Sequence, residues 1–136
     1  MSVTLYVSCP KSALPTRDRW QAAIEAADFD VVLDDFNWRT HSGFLPASYQ
    51  GRSSGFEIMV EDARPVARQL GIKLPEGSDV VVSFSFGSDS DESNAATCAS
   101  AALAKCVGGV YFDEYSDEML DGDTAVNIAR DSLGND

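Results

Sequence analysis

The chain has 136 residues, is 44% hydrophobic and carries a formal net charge of −12 at pH 7. This length and apolar content suffice for a buried core without metal or disulfide support, so a wholly disordered chain is excluded. We predict a single domain over residues 1–136. The surplus of carboxylates repels nucleic acid and anionic membranes, which excludes both as partners and favours a basic protein partner.

The acidic residues are concentrated in the second half of the chain. Residues 1–70 contain nine Asp or Glu and seven Lys or Arg, whereas residues 71–136 contain thirteen and three. We predict that the carboxylates of the second half gather into one outward-facing surface. The alternative is that the extra charge serves solubility alone.

Cysteine usage and the apolar runs indicate the compartment. Cys98 and Cys106 fall on one predicted helix, about 12 Å apart along its axis, which exceeds the reach of a disulfide. We expect these two thiols and Cys9 to be reduced and buried. The N-terminal residues lack the pattern of a signal peptide, and no run approaches the roughly 20 apolar residues of a membrane span. We therefore predict a cytoplasmic protein.

The first half of the chain predicts two strands, a helix and a long loop. Apolar and polar residues alternate over residues 3–9, which is typical of a half-buried strand. Helical spacing, with Thr16 as the N-cap, predicts a helix that ends near Ala27. A second strand is predicted over residues 29–36. Residues 37–54 show neither period and contain Gly, Pro and Ser, which predicts an unusually long loop.

The second half alternates predicted strands with predicted helices. Alternating polarity indicates the strands, and apolar residues at three- and four-residue spacing indicate the helices. The strands are predicted over residues 56–61, 80–86 and 110–115, and the helices over about 65–70, 90–107 and 123–133.

This order of elements predicts an α+β fold. Two strand–helix–strand units flank a hairpin-like middle, which indicates a ferredoxin-like two-layer sandwich. We expect a mixed, mostly antiparallel sheet of about five strands, with the helices mainly on one face. The alternating strands agree, because fully covered parallel strands are apolar on both sides. A thioredoxin-like arrangement is the main alternative.

No motif indicates catalysis, a cofactor or a metal. His41 is the sole histidine, and general acid–base chemistry often uses this side chain. No nucleophile-elbow sequence supports a serine–histidine–aspartate site around it, and one histidine serves zinc poorly. We predict that His41 is not catalytic. The alternative is a small hydrolase-like enzyme in which His41 acts with Asp34 or Asp35.

The predicted loop is the first candidate for a partner-binding surface. It is rich in the residue types that dominate interface hot spots, and positioned loops often carry binding. The competing interpretation is that its aromatic residues cover a sheet edge and its arginines pair with local carboxylates. The loop also contains Phe44, and Trp38 and Phe44 are the aromatic residues of that interpretation. The candidate residues are Trp38, Arg39, His41, Tyr49 and Arg52.

The acidic run near the C-terminus is the second candidate for partner binding. Its spacing does not match a calcium loop, which needs alternating oxygen ligands, a glycine and a distal glutamate. A solvated acidic edge is the competing interpretation. The candidate residues are Asp113, Glu114, Asp117, Glu118, Asp121 and Asp123.

Three segments carry a resemblance to known proteins: THSGFLPASYQGRSSGFEIMVED, DVVVSFSFGSDSDE and GGVYFDEYSDEMLDGDTAVNIA. The chain resembles small uncharacterised bacterial proteins, and in length, acidity and element order it is similar to immunity proteins that neutralise secreted or contact-delivered toxins. The resemblance implies a cytosolic protein that occludes a toxin domain without doing chemistry, and it implies no particular site residue.

The resulting hypothesis is a non-catalytic protein-binding protein, an immunity protein that neutralises a basic toxin domain through an acidic surface. Such a surface steers a basic partner into contact. A small-molecule-binding or regulatory module is one alternative, and the enzyme centred on His41 is the other.

Overall fold

Seven strands and four α-helices are present in the computed structural model, which describes residues 3–38, 40, 41, 43–113 and 119–134. The strands are β1 (Val3–Cys9), β2 (Val31–Leu33), β3 (Gly43–Tyr49), β4 (Arg52–Asp62), β5 (Val80–Phe86), β6 (Val110–Asp113) and β7 (Leu120–Asp121). The helices are α1 (Arg17–Ala26), α2 (Ala63–Leu70), α3 (Ser90–Val107) and α4 (Gly122–Gly134).

All seven strands join one sheet in the order β2-β3-β4-β5-β1-β6-β7, and every neighbouring pair is antiparallel. The α+β class is therefore confirmed. The expected strand count of about five is wrong, and so is the expectation of a mixed sheet. The ferredoxin-like description stays a prediction.

The predicted loop over residues 37–54 is the largest correction. It contains the whole of β3 and the start of β4, which pair as a hairpin from Gly43 opposite Ile58 to Tyr49 opposite Arg52. Gln50 and Gly51 form the two-residue turn, and both have positive φ, at 51° and 79°. Positive φ at both central positions is the geometry that two-residue hairpins favour, because it matches the twist of the strands.

Helix ends follow the capping residues in the sequence. The hydroxyl of Thr16 accepts a hydrogen bond from the Arg19 backbone N–H at 3.2 Å, so the predicted N-cap of α1 is confirmed. The Asp89 carboxylate accepts from the Glu92 N–H at 3.0 Å and caps α3. Each cap satisfies a backbone donor that the first helical turn leaves free.

The two faces of the sheet are covered unequally. Helix α3 packs along one face, with α1 and α4 beside it, and Trp20, Phe84 and Leu103 are fully buried in the core between them. On the other face, α2 and the residues after it cover only a small cluster that includes Val81 and Phe112. The part of that second face formed by β2, β3 and β4 does not belong to this cluster.

Within the described residues, no helix has both the length and the apolar character that a membrane crossing requires.

Candidate binding surface

Trp38 is partly buried and packs against the hydrophobic core. Its ring stacks on Trp20 with centroids 5.4 Å apart and meets Phe36 edge-on at 4.8 Å. Its indole Nε1 donates a hydrogen bond to the Pro15 carbonyl at 2.6 Å. The competing interpretation of the predicted loop, in which its aromatic residues pack over the sheet, therefore describes Trp38.

His41 joins the same aromatic cluster. Its ring lies 5.8 Å from Phe36 in an edge-on arrangement, and its backbone N–H donates to the Asn37 carbonyl at 2.9 Å. The Nε2 atom is buried and has no hydrogen-bond partner among the residues that the structure describes. Within the described ranges, the structure therefore brings neither Asp34 nor Asp35 to hydrogen-bond distance of this nitrogen.

Arg52 is held by a neighbouring carboxylate. Its Nε and Nη2 atoms donate to the two Asp91 oxygens at 2.8 and 2.9 Å, and its guanidinium carbon lies 5.8 Å from the Tyr49 ring centre. The hydrogen bond from Arg52 lowers the pKa of the Asp91 carboxyl. Tyr49 itself is buried. These contacts tie the β3–β4 hairpin to the first turn of α3, and Arg39 lies outside the described residues.

The acidic candidates near the C-terminus that can be described are engaged locally. Asp121 accepts a hydrogen bond from the Thr124 N–H at 2.8 Å, which lowers the pKa of its carboxyl and caps α4. Asp123 lies 3.4 Å from the Lys105 ammonium, and Asp113 is part of β6. The other three predicted residues, Glu114, Asp117 and Glu118, lie outside the described residues.

The structure keeps the two predicted groups apart. The β3–β4 hairpin and the β6–β7 edge stand on opposite sides of β5 and β1 in the sheet. The carboxylates that begin α3 are also distant from those at the start of α4, because α4 begins beside Lys105 at the other end of α3. Fourteen residues of helix separate Asp91 from Lys105, which is about 21 Å at 1.5 Å per residue. The described carboxylates of the second half therefore lie in separate parts of the surface and not in one acidic patch.

A surface that sequence reasoning missed lies on the uncovered side of the sheet. Val32, Phe44 and Met59 are 50%, 49% and 48% exposed. The strand register places all three on the face opposite α3, with Val32 opposite Ser48, Phe44 opposite Glu57 and Met59 opposite Ser83. Together with Ile128, which lies on α4, they are the large hydrophobic side chains exposed in the described structure.

We call this surface the open face. Among the residues that the structure describes, its charged members are Glu57 and Glu61, and no lysine or arginine belongs to it. Exposed apolar side chains on neighbouring strands, bordered by polar residues, make this face a candidate interaction site. The open face consists of the side chains of Val32, Phe44, Pro46, Ser48, Ser53, Glu57, Met59, Glu61, Ser83 and Ser85.

Part of the open face was visible in the sequence. The alternation of Glu57, Met59 and Glu61 with buried neighbours predicted one wet face for β4, and the structure confirms that Met59 and Glu57 are exposed. The sequence does not add Phe44 to that face, because it predicts a loop where the structure has β3. The signal that identifies β3 is the alternation of Leu45, Ala47 and Tyr49, all buried, with more exposed residues.

A cavity of about 450 Å³ lies where the open face meets the start of α3. Three phenylalanines and two glutamates supply most of its lining, together with Ser85 and Gly87. The volume falls in the range of small-ligand pockets. The five main lining residues are Phe44, Phe56, Phe86, Glu57 and Glu92.

Cys9 and Cys98 are buried, whereas Cys106 is partly exposed, so the expectation that all three thiols are buried is wrong for Cys106. Burial raises the pKa of Cys9 to about 11 and that of Cys98 to about 12, whereas a reactive thiol needs a lowered pKa. Across the described ranges, no group of three or more histidine, cysteine or acidic side chains is arranged to hold a metal ion.

Comparisons with known proteins give no relative: no family model, no curated protein and no solved structure matches the chain.

Proposed function

We propose that this chain is a non-catalytic protein-binding protein whose open face binds a basic protein. The observation that carries the proposal is the grouping of three half-exposed hydrophobic side chains, Val32, Phe44 and Met59, on a sheet face whose charged members are carboxylates alone. Covering exposed hydrophobic side chains with a partner lowers the free energy of the complex.

Charge selects the partner. Glu57 and Glu61 lie beside the apolar residues of the open face, so a protein with lysines or arginines around an apolar patch is complementary to it. The net charge of −12 strengthens the attraction at a distance and speeds association at low salt. This mechanism needs no single acidic patch, because the long-range attraction sums over the whole surface.

A toxin domain with a basic active-site groove is the partner that this surface fits best, which makes the chain an immunity-type protein of the cytoplasm. Its role is to cover the toxin surface without chemistry. A standard interface buries about 800 Å² on each partner, so the open face supplies the centre of the interface and residues around it supply the rim.

The proposal is tested by measuring binding to purified nuclease-type toxin domains of basic isoelectric point. An acidic toxin domain of similar size is the matched control. We expect at least one basic domain to bind with a dissociation constant below about 1 μM and to lose nuclease activity in the complex. The affinity is expected to fall when salt rises from about 50 to 300 mM, because added ions screen the charges.

Two results would overturn the proposal. One is the failure of every basic domain to bind below about 10 μM. The other is equal binding of basic and acidic domains with no dependence on salt, since the charges of the open face would then have no role in the choice of partner.

A further inference from the structure

The cavity at the corner of the open face combines aromatic walls with two carboxylates. The Phe44 ring is 49% exposed and lies against Gly55, where an added Cβ would meet the ring. Phe56 is buried, and Phe86 is partly exposed at the end of β5. The cavity is therefore walled by rings that the sheet itself holds in position.

Two carboxylates border these rings from different elements. Glu57 belongs to β4 and is paired in register with Phe44, while Glu92 belongs to the first turn of α3. In the described part of the chain, neither carboxylate is recorded in an ion pair, whereas the nearby Asp91 is already bound by Arg52. The cavity therefore carries negative charge that no described lysine or arginine neutralises through an ion pair.

A planar organic cation matches this combination. A guanidinium group stacks on aromatic rings through its face and donates hydrogen bonds to carboxylates from its edge. An ammonium group is a compact, strongly hydrated charge and makes poorer use of flat aromatic walls. An anion is repelled by both glutamates, and a neutral apolar group leaves them without a counter-charge.

We propose that this cavity binds a guanidinium group, supplied by an arginine side chain of the protein partner. The inference rests on the proposed function for the source of the arginine, and it deepens that function by naming the group that anchors the partner. The cavity opens beside Phe44, so an arginine seated in it brings the surrounding partner surface onto the open face.

The test uses a small probe on the intact chain, so that it does not depend on finding the partner. Nα-acetyl-arginine-N-methylamide is titrated into the ¹⁵N-labelled protein and followed by NMR, with the citrulline analogue as an uncharged control of nearly the same shape. We expect the arginine probe to shift the amide signals of Glu57, Ser85, Gly87 and Glu92 in a saturable way. The citrulline analogue is expected to bind at least about tenfold more weakly, because it lacks the charge.

A pair of variants tests whether the carboxylates are responsible. The double substitution Glu57→Gln and Glu92→Gln is expected to weaken binding of the arginine probe at least about tenfold. The double substitution Glu25→Gln and Glu76→Gln is the matched control, since it removes the same charge from exposed positions outside the open face and the cavity lining, and it should change affinity less than about twofold. If the first double variant fails to fold, the comparison of arginine with citrulline on the unmodified chain still decides the matter.

The proposal is overturned if the two probes bind equally, or if the arginine probe shifts signals at Asp121 and Asp123 as strongly as at the cavity. Failure of the two proposals can be told apart. A chain that takes the arginine probe but binds no basic toxin domain keeps the cavity site and loses the proposed function. A chain that binds such a domain with the same affinity after Glu57→Gln and Glu92→Gln keeps the function and loses the cavity site.

Discussion

At the scale of single residues, Gln21 shows how one side chain protects the edge of the sheet. Its amide nitrogen donates to the Val31 carbonyl at 2.9 Å, and its amide oxygen accepts from the Leu33 N–H at 2.8 Å. Arg17 donates to the Leu33 carbonyl from the same helix. These bonds occupy the outward-facing backbone groups of the edge strand β2, which would otherwise be free to pair with another chain.

Replacing Gln21 with glutamate tests this arrangement. A carboxylate cannot donate to the Val31 carbonyl, and a buried acceptor that loses its donor costs about 1–3 kcal/mol. We expect Gln21→Glu to lower the free energy of unfolding by about that amount in urea titrations, and to make the protein more prone to aggregate. Gln69→Glu, at an exposed position of α2, is the matched control and should leave stability nearly unchanged. Equal stability of the two variants would contradict the role of Gln21.

The buried thiols make stability depend on alkaline pH. Burial raises the pKa of Cys98 from 9.0 to about 12 and that of Cys9 from 9.0 to about 11. Above about pH 9 the unfolded chain therefore releases thiol protons that the folded chain retains, so stability present below pH 9 is lost as pH rises. For Cys98 we expect a loss of about 1 kcal/mol by pH 10.

Urea unfolding at about pH 7.5 and pH 10 measures this loss. Cys98→Ala removes the titrating thiol and should show a smaller drop between the two pH values than the unmodified protein, whatever its stability at neutral pH. The same drop in both proteins would show that the ionisation of Cys98 does not oppose folding.

At the scale of elements, α3 organises the molecule because small residues let its neighbours approach. Nine of its residues are buried, and six of these are alanines. Helix α4 begins at Gly122, and a Cβ at this position would overlap the backbone of Lys105 in α3. The contact between the two helices therefore requires a glycine, which has no side chain, at position 122.

Gly122→Ala should force the start of α4 away from α3. Overpacking of this kind costs about 1–3 kcal/mol, which thermal unfolding followed by circular dichroism would detect as a lower midpoint. Gly87→Ala is the matched control, because nothing lies within 4 Å of an added Cβ there and the backbone needs no positive φ. A Gly122→Ala variant as stable as Gly87→Ala would show that the two helices do not pack this closely.

The sequence predicted elements with strong local periodicity and missed those that depend on pairing. β1 and β5 show clear alternation, and α1 and α3 show helical spacing and begin at an N-capping residue, so the sequence predicts all four. β3 contains Pro46 and several small polar residues, and it forms because β2 and β4 lie on either side of it. A strand that is stabilised mainly by pairing with its neighbours shows only a weak alternation in its own sequence.

The environment of the candidate site residues could not be predicted for the same reason, because it depends on contacts with residues that are distant in the chain. Trp38 and Tyr49 are residue types common at interfaces, but contact with Trp20 partly buries Trp38, and the sheet buries Tyr49. Arg52 was found as a charged residue, and its partner Asp91 is 39 positions away in the chain. Residue type alone does not show whether a side chain binds within its own protein or a partner.

At the scale of the whole molecule, the charge and the apolar surface have separate roles. The described carboxylates are spread over several elements, which gives a broad negative field and no single acidic patch. The open face is the one place where hydrophobic side chains on neighbouring strands are exposed together in the described structure. We therefore expect charge to set the association rate of a basic partner, and the open face to set the position at which the partner binds.

The most direct test of this account compares one lysine placed on the open face with one placed elsewhere. Met59 and Ile128 are 48% and 53% exposed, and they lie on the open face and on α4 respectively. Both variants change the net charge equally, so they affect long-range attraction alike. With the basic toxin domain that binds most tightly, we predict that Met59→Lys weakens the affinity at least about tenfold while Ile128→Lys changes it less than about threefold. Equal losses from the two variants would contradict the account, because the binding would then depend on charge without involving the open face.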